Sequence, residues 1–387
     1  MSTAGAAGVS GSVDPAFAPV RDAFAANFSA GLELGASLSV SVDGRNVVDV
    51  WGGHLDAGRT RPWDRDSLVC VFSCTKGVAA VATMWAVAQG LVDLDAPVAK
   101  YWPEFSAGGK DAIPVRWLLT HQAGLPAIGK RMPLGSLSDW DAMTSALAEQ
   151  EPWWEPGTDH GYHGVTFGHL VGDVLRRATG RTCGQLVRDE LGGPLGVDLW
   201  MPLPIDDDAR TADLVVEMSS EGTFFDRWDP KTSLGPRSFG NPPDSNDPAH
   251  CTTDAWRRAE IPAANMHSNA RALDRLFSVL AGRGRRDGVE IAPPELVEEF
   301  GRCQVRGPDR VMELPTAFAL GFEHTIPEWP FGPGARTYGH NGSGGSLAIV
   351  DPDTGVSLGY AMNRLWWGPD RTDPRWAPIF DALYAAL

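Results

Sequence analysis

The sequence predicts an α/β fold, a sandwich in which an antiparallel sheet is flanked by helices and a mainly helical domain is inserted between its two halves. Two observations predict it. Alternating strand patterns lie near both ends of the chain, and the stretch between them carries helical patterns and loops with little strand signal. Strand patterns at both ends with little between them suggest one sheet assembled from the two termini. Helices are expected to flank it, because a sheet must bury its apolar face against another layer. The expected division is a disordered tail over 1–14, the sandwich over 15–100 and 265–387, and the inserted helical and loop-rich domain over 101–264.

The first half of the sandwich is predicted to begin with a helix followed by a hairpin. Apolar residues recur at helical spacing over residues 15–30, which is typical of an amphipathic helix on a flat partner. Residues 38–42 then alternate between apolar residues and serines, Asp43-Gly44 supplies a tight turn, and residues 48–51 run back. These patterns predict two neighbouring strands.

The second half shows the same kind of pattern near the C-terminus. Residues 346–350 and 356–362 are β-like runs joined by a turn of Asp, Pro, Thr and Gly. Residues 376–387 predict a closing helix, and residues 268–280 predict another that Ser268 caps.

The middle of the chain is predicted to be helical and loop-rich. Residues 167–178 carry a helical stripe that Gly180 should end. Residues 200–260 are rich in Asp, Pro, Gly and Ser, which predicts long surface loops.

The composition restricts the partners. Lys and Arg number 33 against 49 Asp and Glu, so the net charge of −16 repels nucleic acid and anionic lipid headgroups. No apolar run approaches the roughly 20 residues of a spanning helix, and the N-terminal residues lack the pattern of a signal peptide. We expect a cytoplasmic protein that acts on a small molecule, with no nucleic-acid or membrane partner. Its oligomeric state stays open.

The cysteines predict neither a metal site nor a disulfide, and no cofactor is expected. They are scattered along the chain without Cys-x-x-Cys or Cys/His clustering. The five are Cys70, Cys74, Cys183, Cys251 and Cys303.

A Ser-x-x-Lys pattern is the first candidate for catalysis. Ser73 and Lys76 precede a predicted helix over 78–89, so that Lys76 would share a helix face with Ser73 and favour loss of the hydroxyl proton. The N–H groups at the helix start could hold a developing oxyanion. The alternative is an N-cap serine with a surface lysine. The strand-like run before Ser73 and the small-residue helix after it favour the catalytic interpretation.

Two further segments could complete a site. Tyr162 lies in a Pro/Gly loop before a helix, where it could serve as a base, although most loop tyrosines only pack. Residues 338–346 form a glycine-rich lead into a strand, where a ligand could approach backbone N–H groups. A plain flexible turn would explain that segment equally well.

These segments together resemble a known superfamily. Ser73-Cys74-Thr75-Lys76, Tyr162-His163-Gly164 and His340-Asn341-Gly342 are similar, in order and separation, to the three motifs of class C β-lactamases, DD-peptidases and family VIII carboxylesterases. Residues 118–126 and 192–196 resemble two further landmarks of that superfamily. The resemblance implies a β-lactamase/transpeptidase-like fold.

The resemblance also implies roles for the site residues. Ser73 would be the acylated nucleophile, and Tyr162, with its pKa lowered by Lys76, would accept the proton, although the sequence does not separate Tyr162 from Lys76 as the base. Backbone N–H groups of Ser73 and Ser343 would form the oxyanion hole. Other substrate-binding positions on the third motif would be His340, Gly342 and Gly344.

Departures from the β-lactamase pattern favour an esterase. β-Lactamases of this class carry Asn where this chain has Gly164, and Lys-Thr-Gly where it has His340-Asn341-Gly342. Family VIII carboxylesterases commonly show such replacements, so the resemblance implies a serine carboxylesterase acting on short-chain, uncharged esters. The Gly-x-Ser-x-Gly elbow of α/β-hydrolases is absent from the sequence.

Three alternatives remain open from the sequence. An acyltransferase would use the same residues. A β-lactamase or D-amino-acid peptidase would need a cation for the substrate carboxylate, which Arg336 or Arg364 could supply. A non-catalytic penicillin-recognition or filament-forming scaffold would keep the fold alone. One of the tryptophan pairs, 153–154 or 366–367, could line an apolar pocket.

Overall fold

A computed structural model describes residues 8–218, 221–246, 249–369 and 372–387. Within these ranges the strands are β1 (Val9–Val13), β2 (Gly35–Val42), β3 (Arg45–Gly53), β4 (Val69–Cys70), β5 (Val215–Met218), β6 (His267–Ser268), β7 (Arg285–Arg286), β8 (Val289–Glu290), β9 (Val305–Pro308), β10 (Pro315–Phe318), β11 (Glu323–His324), β12 (Tyr338–Asn341), β13 (Leu347–Asp351), β14 (Val356–Met362) and β15 (Arg364–Trp367). In the same ranges the helices are α1 (Ala18–Ser29), α2 (Cys74–Ala88), α3 (Val115–Leu119), α4 (Trp140–Glu149), α5 (Thr166–Thr179), α6 (Cys183–Leu186), α7 (Gly193–Leu195), α8 (Gly235–Phe239), α9 (Asp254–Arg258), α10 (Ala270–Ala281), α11 (Pro294–Gly301) and α12 (Trp376–Ala385).

The main sheet joins the two ends of the chain, as predicted. Nine strands of the described chain form it in the order β1-β3-β2-β14-β13-β12-β11-β10-β9. All of these neighbours are antiparallel, and the pairing of β2 with β14 connects the N-terminal strands to the C-terminal ones. The sheet therefore depends on contacts between residues far apart in sequence.

Helices cover both faces of this sheet. Gly359 and Tyr360 are neighbours on β14 and so face opposite sides. The ring of Phe24 in α1 lies 5.9 Å from the ring of Tyr360, whereas a Cβ on Gly359 would lie 2.1 Å from the carbonyl oxygen of Ala270 in α10. Helices α1 and α12, which contact each other, thus cover one face, and α10 covers the other.

Several local predictions are confirmed. Asp43 and Gly44 both have positive φ, 47° and 74°, which is the turn geometry that matches the twist of a two-stranded hairpin. Helix α5 ends at Gly180, which has a left-handed φ of 71° that a residue without Cβ adopts readily. Strands β13 and β14 and helix α12 occupy the predicted stretches.

Three expectations need correction. Val9–Val13, assigned to the disordered tail, is an edge strand paired with β3; Ser and Gly dilute its apolar pattern, and close backbone approach at Gly11 supports it. Residues 1–7 lie outside the described residues. Helix α10 is capped by Asn269, whose Oδ1 accepts a hydrogen bond from the N–H of Ala272, and not by Ser268. Strand β5, within a stretch predicted to be loops, pairs with β15 in parallel.

The division into a sandwich and an inserted domain over 101–264 stays a prediction. Among the described residues, no helix combines the length and apolar character needed to cross a bilayer.

Candidate active site

Ser73 lies at the start of α2, at a sharp bend of the chain. The preceding residue, Phe72, has a φ of 43°, which a bulky side chain adopts only when its surroundings hold it there. Val71 before the bend donates its N–H to the carbonyl of Met266, which fixes the segment. Ser73 is half-buried, while Cys74 after it is fully buried. The bend therefore presents the Ser73 hydroxyl to a cleft.

Lys76 is fully buried directly beneath Ser73. Its Nζ lies 3.1 Å from Oγ of Ser73, 2.8 Å from the carbonyl oxygen of Gly164 and 2.9 Å from that of Ala263. Burial lowers the pKa of Lys76 to about 7, against the opposing effect of the negative charge of Glu323. The alternative of a surface lysine is wrong. Near neutral pH, an appreciable fraction of Lys76 is an uncharged amine that can accept a proton.

Tyr162 joins the same cluster from the loop before α5. Its ring centroid lies 4.8 Å from Nζ of Lys76 and 6.1 Å from the ring of Phe318, to which it is nearly parallel. Tyr162 also lines a cavity together with Ser73. The three residues that the motifs singled out are therefore brought together.

The backbone of Tyr162 is held by a buried carboxylate that the sequence did not indicate. Asp309, in the turn after β9, accepts the N–H of Tyr162 at 3.1 and 3.0 Å on its two oxygens. It also accepts the N–H groups of Val311 and Met312 and the hydroxyl of Thr316. Pro308-Asp309 reads only as a turn in the sequence, so no local signal could connect it to Tyr162.

His163 is a structural residue next to the site. Its Nε2 accepts the N–H of Leu125 at 3.0 Å and its Nδ1 lies 2.6 Å from the carbonyl oxygen of Gly161, so the proton sits on Nδ1. Burial lowers the pKa of His163 to about 3. The imidazole is therefore neutral and holds the Tyr162 loop to residue 125.

The glycine-rich segment forms a tight turn between β12 and β13. A Cβ on Gly342 would lie 2.3 Å from the carbonyl oxygen of Val71, and Oγ of Ser346 donates to that oxygen at 2.9 Å. The turn is thus docked directly beside Ser73. In the part of the chain that the structure describes, the backbone N–H groups of Ser73 and Ser343 donate no hydrogen bond.

A buried ion cluster supports the far side of this turn. Nη2 of Arg375 donates to the carbonyl of Gly344 at 2.5 Å, and Nε1 of Trp376 donates to that of Gly345 at 3.0 Å. Arg375 is fully buried and paired with Glu33 and Asp373. The sequence does not indicate this cluster, because an arginine just before a helix is typically exposed to solvent.

His340 lies beside Tyr162 and is not part of either cavity wall described below. It is fully buried, its ring centroid is 6.1 Å from that of Tyr162, and its Nδ1 lies 2.7 Å from the carbonyl oxygen of Asn341. Gly342, Ser343 and Gly344, by contrast, do line the cleft.

Two cavities meet at Ser73. The outer cavity has a volume of about 130 Å³, and the inner cavity about 60 Å³. Both are lined by Ser73, Ser343, Phe225, Phe239 and Trp367. The outer cavity is also lined by Tyr162, Phe224, Met312, Asn341, Gly342, Gly344, Gly345, Trp366, Gly368, Thr372, Asp373 and Trp376. The inner cavity is also lined by Phe72, Gly164, Val165, Ser245, Cys251, Trp256 and Ala264.

The charges around these cavities do not favour an anionic ligand. Among the described residues that line the two cavities, Asp373 is the only one with a charged side chain, and its charge is negative. Arg336, which is exposed and paired with Asp353, and Arg364 line neither cavity. Of the tryptophan pairs, residues 366–367 line the cleft and residues 153–154 do not.

An aromatic ring fills the space beside Gly164, the position at which the resemblance implies an asparagine in β-lactamases. A Cβ on Gly164 would lie 2.7 Å from ring atoms of Phe239, so a side chain at 164 would collide with that ring. Position 164 therefore offers no side-chain amide to a ligand, and the apolar ring of Phe239 occupies the space where such a side chain would lie.

The architecture and the cluster of Ser73, Lys76 and Tyr162 define a β-lactamase/transpeptidase-like fold. The chain belongs to the Beta-lactamase family, whose model matches residues 24–380. It is 38% identical over 368 residues to the esterase/beta-lactamase LipL of Mycobacterium tuberculosis, covering 92% of this chain and 83% of that protein.

Solved structures agree. A family VIII carboxylesterase matches with a TM-score of 0.89 and 36% identity, covering 98% of this chain and 100% of that chain. A penicillin-binding protein homologue from Caulobacter crescentus matches with a TM-score of 0.89 and 38% identity over the same shares of the two chains. The predicted fold and the resemblance are thereby confirmed.

Proposed function

We propose that this protein is a serine esterase that hydrolyses short-chain, uncharged carboxylic esters through an acyl-enzyme on Ser73. One observation carries the proposal: Nζ of the fully buried Lys76 lies 3.1 Å from Oγ of Ser73, at the wall of an aromatic-lined cleft. A low-pKa amine in contact with a serine hydroxyl is the arrangement that activates a nucleophile. The names of LipL and of the family VIII carboxylesterase support the choice of esters.

Acylation follows from the contacts of Lys76. In its neutral form the amine has two N–H bonds for the carbonyls of Gly164 and Ala263, and a lone pair for the Ser73 hydroxyl proton. As that proton moves to Nζ, Oγ bonds to the ester carbonyl carbon, and the carbonyl oxygen takes the negative charge. The N–H groups of Ser73 and Ser343 would stabilise this oxyanion.

The intermediate then expels the alcohol. Tyr162 would pass a proton from Lys76 to the departing alkoxide, a role supported by the 4.8 Å distance from Nζ to its ring centroid. Water next attacks the acyl carbon and gives its proton to the same base. The acid leaves, and Ser73 regains its proton.

Intact-mass spectrometry tests the proposal. After incubation with a fluorophosphonate, the wild-type protein should gain one phosphonyl group, and Ser73→Ala should gain none. Ser73→Ala should also lose about 10³-fold or more in the hydrolysis of nitrophenyl acetate. Ser106→Ala, on the exposed surface, is the matched control and should keep both properties.

Opposite results would reject the proposal. Labelling of Ser73→Ala, or activity within about tenfold of wild type, would remove Ser73 from the mechanism. Stable acylation by benzylpenicillin with no ester hydrolysis would indicate a penicillin-recognising protein instead. Products formed only with an added alcohol or amine would indicate an acyltransferase.

A further inference from the structure

The two cavities at Ser73 adjoin each other and share three aromatic side chains in their walls. Phe225, Phe239 and Trp367 line both of them, as do Ser73 and Ser343. A substrate whose carbonyl carbon lies at Oγ of Ser73 thus has a separate cavity available to each of its two halves. Each half of an ester would then be selected by a separate set of residues.

None of the described residues on the inner wall is exposed, whereas the outer wall includes one exposed residue. Phe72, Val165 and Trp256 on the inner wall are 8%, 5% and 1% exposed. The outer wall includes Thr372, which is exposed, and the polar Asn341. During turnover the alcohol must leave and water must enter while the acyl group stays bonded to Ser73. This requirement favours the more exposed outer side for the alcohol and the inner side for the acyl chain.

We propose that the inner cavity binds the acyl chain of the substrate and that Trp256, a fully buried residue of its wall, limits the length of that chain. This inference rests on the proposed esterase function and deepens it. The inner cavity, about 60 Å³ in volume, holds roughly four to six water-sized groups at about 10–15 Å³ each. Acyl chains up to about butanoyl fit, and longer chains must displace Trp256 or turn back toward the outer cavity.

Acyl-series measurements on the wild type and two variants test the assignment. With nitrophenyl esters from acetate to octanoate, wild-type kcat/KM should fall about tenfold or more between butanoate and octanoate. Trp256→Phe enlarges the inner cavity and should move the preferred chain about two carbons longer. Ala264→Leu fills the cavity and should lower the butanoate-to-acetate ratio about tenfold while acetate is still hydrolysed.

A variant in the outer cavity is the matched control. Trp366 lines only the outer of these two cavities, so Trp366→Phe should keep the acyl-chain ratios within about threefold. It should instead change the ranking of a series of acetates that differ in their alcohol. Retained acetate hydrolysis in each variant shows that the variant is folded.

The outcomes separate this inference from the function on which it rests. Hydrolysis with the same acyl profile in wild type, Trp256→Phe and Ala264→Leu would overturn the inference and leave the esterase proposal intact. A changed alcohol ranking in the two inner-cavity variants would also overturn it, since the inner cavity would then bind the alcohol. No hydrolysis of any ester by the wild type would overturn both.

Discussion

The side-chain nitrogen of Lys76 lies 3.1 Å from the hydroxyl oxygen of Ser73, and two backbone carbonyls, of Gly164 and Ala263, occupy its other hydrogen-bonding directions. A charged ammonium has three donors and fits this environment, but a neutral amine fits it equally, because its lone pair then faces Ser73. Burial determines which form is present near neutral pH.

The pH dependence of ester hydrolysis should report Lys76. Because the pKa of Lys76 is lowered to about 7, kcat/KM is expected to rise about tenfold per pH unit below pH 7 and to level off above pH 7. Tyr162→Phe should lower the rate and keep this midpoint. A rise that continues well past pH 8 in the wild type, and disappears in Tyr162→Phe, would instead show that the phenolate of Tyr162 is the base.

Neutral esters should be strongly preferred over β-lactams. No cationic side chain lines the described walls of the cleft, and Phe239 fills the space beside Gly164 where an amide would hold a lactam side chain. Each missing charged hydrogen bond costs roughly 1.5 to 3 kcal/mol. We expect kcat/KM for nitrophenyl acetate to exceed that for a penicillin by about 100-fold or more. Similar values would mean that Arg364, or another cation, reaches the substrate.

Arg375 should act on catalysis by positioning the glycine-rich turn. Arg375→Lys keeps the charge beside Glu33 and Asp373 but loses part of the contact with Gly344. We expect kcat to fall about 10- to 100-fold with little change in KM, as when an oxyanion donor is displaced. Arg336→Lys, an exposed control, should have no effect. An unchanged kcat in Arg375→Lys would restrict Arg375 to a role in stability.

Asp309 should be required to hold Tyr162. Asp309→Asn replaces one acceptor oxygen by a donor group in a site where every described partner is a donor. The expected cost is about 1–3 kcal/mol of unfolding free energy, together with a lower kcat at unchanged pH midpoint. Urea unfolding and a pH–rate profile measure the two effects. Wild-type kcat in the folded variant would show that the Tyr162 loop needs no such anchor.

His163 should contribute to acid lability. Its pKa is about 3 in the folded protein against an ordinary value of 6.5, so between these values the unfolded chain binds a proton that the folded chain does not. The unfolding free energy therefore falls as the pH falls through this window, by up to about 1.4 kcal/mol per pH unit from this residue. His163→Asn, measured by urea unfolding at several pH values, should show a correspondingly shallower slope. Parallel slopes would contradict the assignment.

The sequence by itself determined the features that depend on neighbouring residues. The hairpin around Asp43-Gly44, the end of α5 at Gly180 and the placement of Ser73 with Lys76 on one turn follow from spacing and turn geometry, which act over a few residues. The weak apolar pattern of Val9–Val13 did not indicate a strand, because its place in the sheet depends on pairing with β3.

Tertiary structure alone decided the pKa of Lys76, the position of Tyr162 and the shape of the cavities that would receive a substrate. The pKa of Lys76 depends on burial beneath carbonyls from two distant segments, and Tyr162 depends on the carboxylate of Asp309. The inner cavity is formed by residues as far apart in sequence as Phe72 and Trp367. Burial, cavity shape and long-range hydrogen bonds are properties of the packed chain, and no local pattern of residue types encodes which distant segments will meet.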